Sequence, residues 1–204
     1  MKDDYTRDHC LHFAYGATLH PDQIHARCEK PTLVAVARLK DYRLEFFGHS
    51  KVWDSGMETV VPAVGQEVWG AVYSLRRSDA DRLDTLQDVR LDGTGNYFQY
   101  PVQVTDTEGN VLHVLLYKKD ILGTPTLPSR EYLDLIVLGA QKRGLPEDYI
   151  TQLKKHPSVA ASYAVPRLAK FDRSMLLETA CECGDLRKSK GGPGLVPTGE
   201  NDNE

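Results

Sequence analysis

A glycine-centred segment near the N-terminus is the first part of the chain that could bind a small ligand. Leu11 to Tyr15 is an apolar run that predicts a strand, and it ends at Gly16. Pro21, followed by Asp22, then predicts the start of a helix. A strand, a glycine turn and a helix start can direct free backbone N–H groups at an anion. Many such joints bind nothing, so the segment is a candidate binding loop that needs support from the rest of the chain.

Cysteine and histidine chemistry is less favoured by the sequence. Cys181 and Cys183 form a C-x-C pair, but a metal site would need two more ligands and none is close in sequence. We therefore expect no metal, and reduced thiols near the end of a helix. Cys28 could pair with one of several histidines, but no nucleophile signature surrounds it, so Cys–His catalysis is not favoured.

The elements that must position these residues are strands in the first half of the chain and helices in the second. We expect a β-rich stretch over 32–47 with a turn at Lys40–Asp41, strands over 59–64 and 67–75 separated by Gly65, a hairpin of 97–105 and 111–119, and helices from Ser78 to Leu86, over 129–143 and over 146–156. Ser78 could cap the first of these helices, and Gly144 is expected to end the second. This order predicts an α+β fold with an antiparallel or mixed sheet, which a small barrel could close.

Composition limits the partners and the domain count. The 204 residues are 41% hydrophobic and 26% charged, which is typical of one globular domain, expected over residues 8–180. Residues 187–204 are rich in glycine, proline and charge, and we expect a flexible tail there. The net charge of −4 disfavours nucleic acid as the partner. No apolar run long enough to span a membrane and no signal peptide is found, which predicts a cytoplasmic protein without a membrane partner.

Five segments, taken together and in order, resemble the gamma-glutamylcyclotransferase (AIG2-like) superfamily. They are the segments Phe13–Leu19 (FAYGATL), Val36–Leu44 (VARLKDYRL), Glu67–Tyr73 (EVWGAVY), Leu83–Gln87 (LDTLQ) and Leu138–Pro146 (LGAQKRGLP). Each alone is a weak signal. The match covers about residues 12–155 and leaves the chain beyond about 157 unmatched.

The resemblance implies a small mixed β-barrel with flanking helices and an enzyme, a transferase or lyase in formal terms, that acts on a gamma-glutamyl amine or amino acid. In this family the substrate's own α-amine attacks the γ-carbonyl, which releases the amine half and forms 5-oxoproline without a cofactor. The resemblance assigns substrate binding to Tyr15, Gly16, Ala17, Thr18 and Leu19, and to the pocket aromatics Tyr97, Tyr117 and Tyr132. Neither the amine half nor the oligomeric state, monomer or homodimer, follows from the sequence.

The chain departs from the family at the position that matters most for proton transfer. The family's catalytic glutamate aligns with Gln87, and the glycine after it aligns with Asp88. A carboxylate can take a proton from the α-ammonium and return it to the leaving amine, whereas a carboxamide can do neither. The signature loop also changes, since Ala17–Thr18 replaces Ser–Asn or Ala–Asn.

Three interpretations of this departure stay open at the level of sequence. The chain could be a catalytically disabled protein that keeps the pocket for ligand binding or interaction. Another carboxylate could have taken over, either Glu58, which lies where relatives have a small residue, or Asp88, which a helix would turn about 100° away. Finally, the protein could carry out related chemistry on a related ligand.

Overall fold

The computed structural model describes residues 8–90, 92–120 and 122–166. Five strands close into a barrel: β1 (His9–Ala14), β2 (Thr32–Ser50), β3 (Ser55–Arg76), β4 (Phe98–Asp106) and β5 (Val111–Lys118). Their order in the barrel is β1-β3-β2-β4-β5, in which β1 runs parallel to β5 and the other pairs are antiparallel. The helices are α1 (Pro21–Arg27), α2 (Arg77–Leu86), α3 (Arg130–Lys142) and α4 (Glu147–Lys154), and a single 3-10 turn spans Ala17–Leu19.

This architecture confirms the predicted α+β fold, a small mixed barrel with flanking helices. The predicted end of the domain at residue 180, the tail over 187–204 and the pair Cys181 and Cys183 lie outside the described residues. None of the helices within 8–90, 92–120 and 122–166 is both long and apolar enough to cross a membrane.

The strands β2 and β3 form one long hairpin, a two-stranded ribbon. Two predictions were therefore wrong, the turn at Lys40–Asp41 and the break between two strands at Gly65. The pairing passes from Lys40 with Glu67 to Tyr42 with Pro62, so the residues between them bulge without ending either strand. Asp41 takes a positive φ of 62° there, and its carboxylate accepts a hydrogen bond of 2.8 Å from the Gly65 N–H. Residues typical of turns thus bend the ribbon here instead of reversing it.

The helix ends show one wrong prediction and one that the structure confirms. Helix α2 begins at Arg77, and no side chain caps it, so Ser78 does not have the predicted role. Asp79 instead is fully buried and accepts hydrogen bonds from the backbone N–H groups of Glu29 and Lys30, at 2.7 and 3.3 Å. Helix α3 is followed by Gly144 at φ 68°, as its sequence predicts, and the Ser129 side chain caps its first turn.

Helix α3 fixes the position of the segment that follows β1. A Cβ on Gly139 would lie 2.7 Å from the backbone nitrogen of His20, so the helix approaches the backbone of that segment as closely as a glycine permits. Leu19 and Ile136 are both fully buried in the same hydrophobic core. This packing of α3 fixes the position of the Tyr15–Leu19 loop.

Candidate active site

Two cavities meet at Glu58. The wider one has a volume of about 300 Å³ and the narrower one about 10 Å³, room for one water molecule. Three residues line both cavities: Glu58, Gln87 and Tyr97. The wider cavity is also lined by Ala17, Arg27, residues 49–53, Met57, Leu86, Asp88, Asn96 and Tyr132. The narrower one is also lined by residues 12–16, Thr18 and Tyr117.

The side chain of Glu58 is a buried carboxylate supported by tyrosines. It lies on β3 opposite Phe46 and is 9% exposed. The Tyr132 hydroxyl donates a hydrogen bond of 2.6 Å to Glu58 Oε2, and the Tyr97 hydroxyl donates one of 2.8 Å to the Glu58 carbonyl. Burial raises the pKa of Glu58, an effect that the hydrogen bonds from Tyr132 and from the Ala17 backbone partly oppose. Glu58 is thus a carboxyl group whose protonated form is favoured relative to one in water.

The carboxylate packs directly on the candidate binding loop. A Cβ on Gly16 would lie 2.0 Å from Glu58 Oε1, a distance that no side chain could tolerate. The φ of Gly16 is −110°, so the glycine is needed here for space and not for a left-handed backbone. Gly16 and Glu58, which are distant in sequence, therefore form one surface.

The five residues of the loop are divided among the two cavities and the core. Tyr15, Gly16 and Thr18 line the narrow cavity, and Ala17 lines the wide one. The Tyr15 hydroxyl donates to the carbonyl of Tyr117. Leu19 is fully buried in the hydrophobic core and lines neither cavity.

Gln87 and Asp88 both lie at the cavities but differ in what they can do. Gln87 is the C-cap residue of α2, where its N–H bonds to the Leu83 carbonyl at 2.9 Å. The carboxylate of Asp88 accepts hydrogen bonds from Arg90 Nε at 2.8 Å and Asn96 Nδ2 at 2.9 Å. The hydrogen bond from Arg90 lowers the pKa of Asp88, which makes it a poorer proton carrier than Glu58.

Tyr117 belongs to a second polar group, which we call the Asp84 cluster (Asp84, Gln99 and Tyr117). The Tyr117 hydroxyl donates to Asp84 Oδ1 at 2.7 Å, and Gln99 Nε2 lies 2.7 and 2.9 Å from the two oxygens of the same carboxylate. The hydroxyl of Tyr117 is therefore directed to α2, while Tyr97 and Tyr132 direct theirs to Glu58.

Three polar residues at the site were not singled out from the sequence as binding residues. His12 is 5% exposed, lines the narrow cavity and has a pKa lowered by burial to about 4. Lys119 donates to the Asn96 carbonyl at 3.2 Å and lies 4.9 Å from the Tyr97 ring centroid. Arg27 lines the wide cavity from the last turn of α1. The one sequence signal was the spacing of four between Gln23 and Arg27, a common helical pair.

The turn between β2 and β3 covers the wide cavity and is anchored on several sides. The Trp53 ring lies 5.1 Å from that of Tyr132, and Ser129 Oγ donates to the Trp53 carbonyl at 2.7 Å. Ser162 donates through both N–H and hydroxyl to Asp54 Oδ2, each at 2.6 Å. Trp53 packs on Tyr132 and lines the wide cavity.

Metal chemistry gains no support from side-chain positions. Across residues 8–90, 92–120 and 122–166, no group of three histidine, cysteine, aspartate or glutamate side chains could hold a metal ion.

Comparisons with known proteins agree with this geometry. Residues 67–153 match the model of the AIG2-like family. A human protein named gamma-glutamylcyclotransferase is 33% identical over 148 residues, which make up 71% of this chain and 77% of that protein. Its mouse counterpart is 32% identical over 148 residues, with the same coverage of 71% and 77%.

A solved structure leads to the same family. A structure titled gamma-glutamyl cyclotransferase superposes with a TM-score of 0.73 at 29% identity, covering 84% of this chain and 99% of its own. Sequence and structure thus match over the barrel and its helices. The chain belongs to the gamma-glutamylcyclotransferase (AIG2-like) family.

Proposed function

We propose that the protein converts a gamma-glutamyl amine or amino acid into 5-oxoproline and the free amine, with Glu58 in place of the missing catalytic glutamate. The observation that supports this most strongly is the position of Glu58, a buried carboxylate that lines both cavities together with Gln87. The named activity of the relatives supports the reaction type.

The glutamyl end would bind at the Tyr15–Leu19 loop, where backbone N–H groups and the Tyr97 and Tyr132 rings surround Glu58. Such a site holds the α-amine near the γ-carbonyl, and fixing this geometry can supply several kcal/mol of the barrier. Gln87 cannot move protons but can donate and accept hydrogen bonds, so its role is to orient the ligand.

Glu58 would act first as a base and then as an acid. It removes a proton from the α-ammonium, and the free amine forms a bond to the γ-carbon. The bond from that carbon to the leaving nitrogen then breaks as Glu58 returns the proton to it. The ring nitrogen loses its second proton in the same step, and the released amine takes this proton up and leaves as an ammonium. Burial suits this cycle because it raises the pKa of Glu58 towards the working pH, where a group can both accept and donate a proton. Tyr132 holds the carboxylate in place through its hydrogen bond.

A ligand-binding protein without turnover is the second candidate. It is favoured by the carboxamide of Gln87, which stands where the family has its catalytic carboxylate. It is also favoured by the contact of Glu58 with Gly16, because the Glu58 side chain then fills space at the loop where a substrate would bind. In this alternative Glu58 closes the loop and does not take part in chemistry.

The release of 5-oxoproline from a panel of gamma-glutamyl compounds separates the two. We expect the unmodified protein to turn over at least one compound, and Glu58→Gln to lose about 10²–10⁴-fold in kcat with ligand affinity nearly kept. Turnover unchanged in Glu58→Gln would reject the role of Glu58. No turnover by the unmodified protein, with activity gained in Gln87→Glu, would favour the binding protein.

A further inference from the structure

The Arg27 guanidinium is held in a fixed orientation at the wall of the wide cavity. Its Nη1 donates to the Gln23 carbonyl at 2.8 Å and to Gln23 Oε1 at 2.6 Å. Burial lowers the pKa of Arg27, while the nearby Tyr132 and Glu58 oppose that effect by favouring its charge. The guanidinium is thus partly desolvated and close to the proposed reaction centre.

No protein anion neutralises this charge within the part of the chain that the structure describes. The acceptors of Arg27 are both on Gln23, which is uncharged, and Glu58 acts on it only at longer range. Asp88, the other acid of the cavity wall, is already paired with Arg90 at 2.8 Å. A partly buried, oriented arginine without a counter-ion is suited to bind a carboxylate, since its planar group offers parallel N–H donors.

The position of Arg27 indicates which part of a substrate it would contact. Tyr15, Gly16 and Thr18, the residues proposed for the glutamyl end, line the narrow cavity, which Arg27 does not reach. Arg27 lines the wide cavity together with Lys51 and Trp53 of the β2–β3 turn. A gamma-glutamyl compound whose γ-carbonyl lies at Glu58 would extend its leaving half into this space.

We propose that Arg27 is a specificity-determining residue that binds a carboxylate on the leaving half of the substrate. This inference rests on the proposed function for the placement of the glutamyl end. Arg27 favours substrates whose leaving half is an amino acid or a peptide over substrates whose leaving half is a simple amine. Gln23 is then a positioning residue, because it fixes the guanidinium through two hydrogen bonds and leaves its other donors to the ligand.

Two ligands that differ in one charge test the inference directly. They are gamma-glutamyl-alanine and gamma-glutamyl-alaninamide, which have the same shape apart from carboxylate against carboxamide. Their binding is measured by calorimetry to Glu58→Gln, in which turnover is blocked, with and without Arg27→Met. We expect Arg27→Met to weaken binding of the acid by about 10- to 100-fold and binding of the amide by less than about 3-fold.

Lys142→Gln is the matched control, since it removes a positive charge near α1, where Lys142 pairs with Asp22 at 3.6 Å outside the cavity. It should leave both affinities unchanged. Equal losses for acid and amide in Arg27→Met would overturn the inference, since Arg27 would then serve the glutamyl end or the fold. No preference for the acid, or no binding of either ligand when Arg27 is intact, would overturn it as well.

Turnover is recorded separately, so that failure of the inference and failure of the proposed function differ. Absence of 5-oxoproline with the whole panel of gamma-glutamyl compounds in the unmodified protein rejects the enzyme, whereas the calorimetric selectivity still decides the role of Arg27. A melting curve for each variant confirms that it is folded. Arg27→Lys, which keeps the charge but not the paired donors, should recover only part of the selectivity.

Discussion

Two carboxylates of the barrel each accept a hydrogen bond from a tyrosine, yet their surroundings differ. Asp84 on α2 receives Tyr117 Oη and the Gln99 amide, which occupy both of its oxygens. Glu58 on β3 receives the hydroxyl of Tyr132, lies against Gly16, and borders open space on two sides. Asp84 also borders a cavity, of about 340 Å³, but it is only half-buried and both of its oxygens have partners within the protein, whereas Glu58 is buried beside the candidate binding loop. The Asp84 cluster therefore braces α2 on the barrel, and Glu58 is available for chemistry.

The sharpest test of this comparison neutralises each carboxylate in turn. Glu58→Gln should lower kcat by about 10²–10⁴-fold with little loss of stability, since shape is kept and burial no longer penalises a charge. Asp84→Asn should keep turnover within a few-fold but lower the free energy of unfolding by about 1 kcal/mol, because a half-buried, charge-assisted network is broken. Rates of 5-oxoproline formation and urea unfolding curves measure both. A larger kinetic loss in Asp84→Asn than in Glu58→Gln would reverse the assignment.

The sequence predicted the fold better than it predicted the site. Five motifs in order were sufficient for the barrel, and the turn chemistry around Gly144 was interpreted correctly. Asp41 and Gly65 were misassigned because the same residue types form a turn or a bulge, and only the partner strand decides which. The face on which Glu58 lies could not be settled from alternation, since bulges in the long ribbon shift the register. The cavity next to Arg27 is lined by residues of α1, of the β2–β3 turn and of the end of α2, which no local sequence pattern brings together.

His12 contacts Tyr117 of the Asp84 cluster and lines a cavity with Glu58, and its burial should make the stability of the protein depend on pH in the acidic range. Its ring lies 5.0 Å from that of Tyr117, and it lines the narrow cavity next to Glu58. The folded pKa of about 4 is below the ordinary histidine value of 6.5, so the unfolded chain binds more protons between these values. Stability should therefore be lost as pH falls from 6.5 to about 4, by about 3 kcal/mol for this group, since one pKa unit corresponds to about 1.4 kcal/mol.

His12→Phe, which keeps an aromatic ring, should flatten this loss in thermal melts recorded across the same pH range. Glu58 changes stability with pH in the opposite direction to His12, so its contribution must be removed from the measurement. Its raised pKa stabilises the folded state at low pH, a contribution that is lost as pH rises through the folded value. Comparing the variants in a Glu58→Gln background isolates His12, and an unchanged acid slope there would show that the imidazole is hydrated.

Gly16→Ala tests whether the contact between loop and carboxylate matters. The new Cβ would collide with Glu58 Oε1, so either the loop or the carboxylate must move. We expect turnover to fall by about 10-fold or more and the free energy of unfolding to drop by about 1–3 kcal/mol, the usual cost of overpacking. Gly16→Ala in Glu58→Ala should recover most of the stability, because the clashing side chain is gone. If Gly16→Ala alone is as stable and as active as the unmodified protein, the contact between Gly16 and Glu58 does not matter.

The smallest effects are expected from removing the hydroxyl of Tyr132 or of Tyr117. Tyr132→Phe removes a hydrogen bond that favours ionised Glu58, so the pKa of Glu58 should rise further and the acidic limb of the pH–rate profile should shift to higher pH. Tyr117→Phe should leave that limb unchanged and lower stability by about 1 kcal/mol, because its hydroxyl serves Asp84. Identical pH profiles for both variants would remove the distinction between the two carboxylates.

The shared wall formed by Glu58 and Gln87 has a consequence for how relatives are sorted into active and inactive. The two side chains come from β3 and from the end of α2, yet they border the same two spaces. During evolution the catalytic acid could therefore be lost at one of these chain positions and gained at the other without a change in the shape of the two cavities. Counting a protein as inactive from one aligned column would miss such an exchange, whereas asking whether any carboxylate faces the cavities would find it.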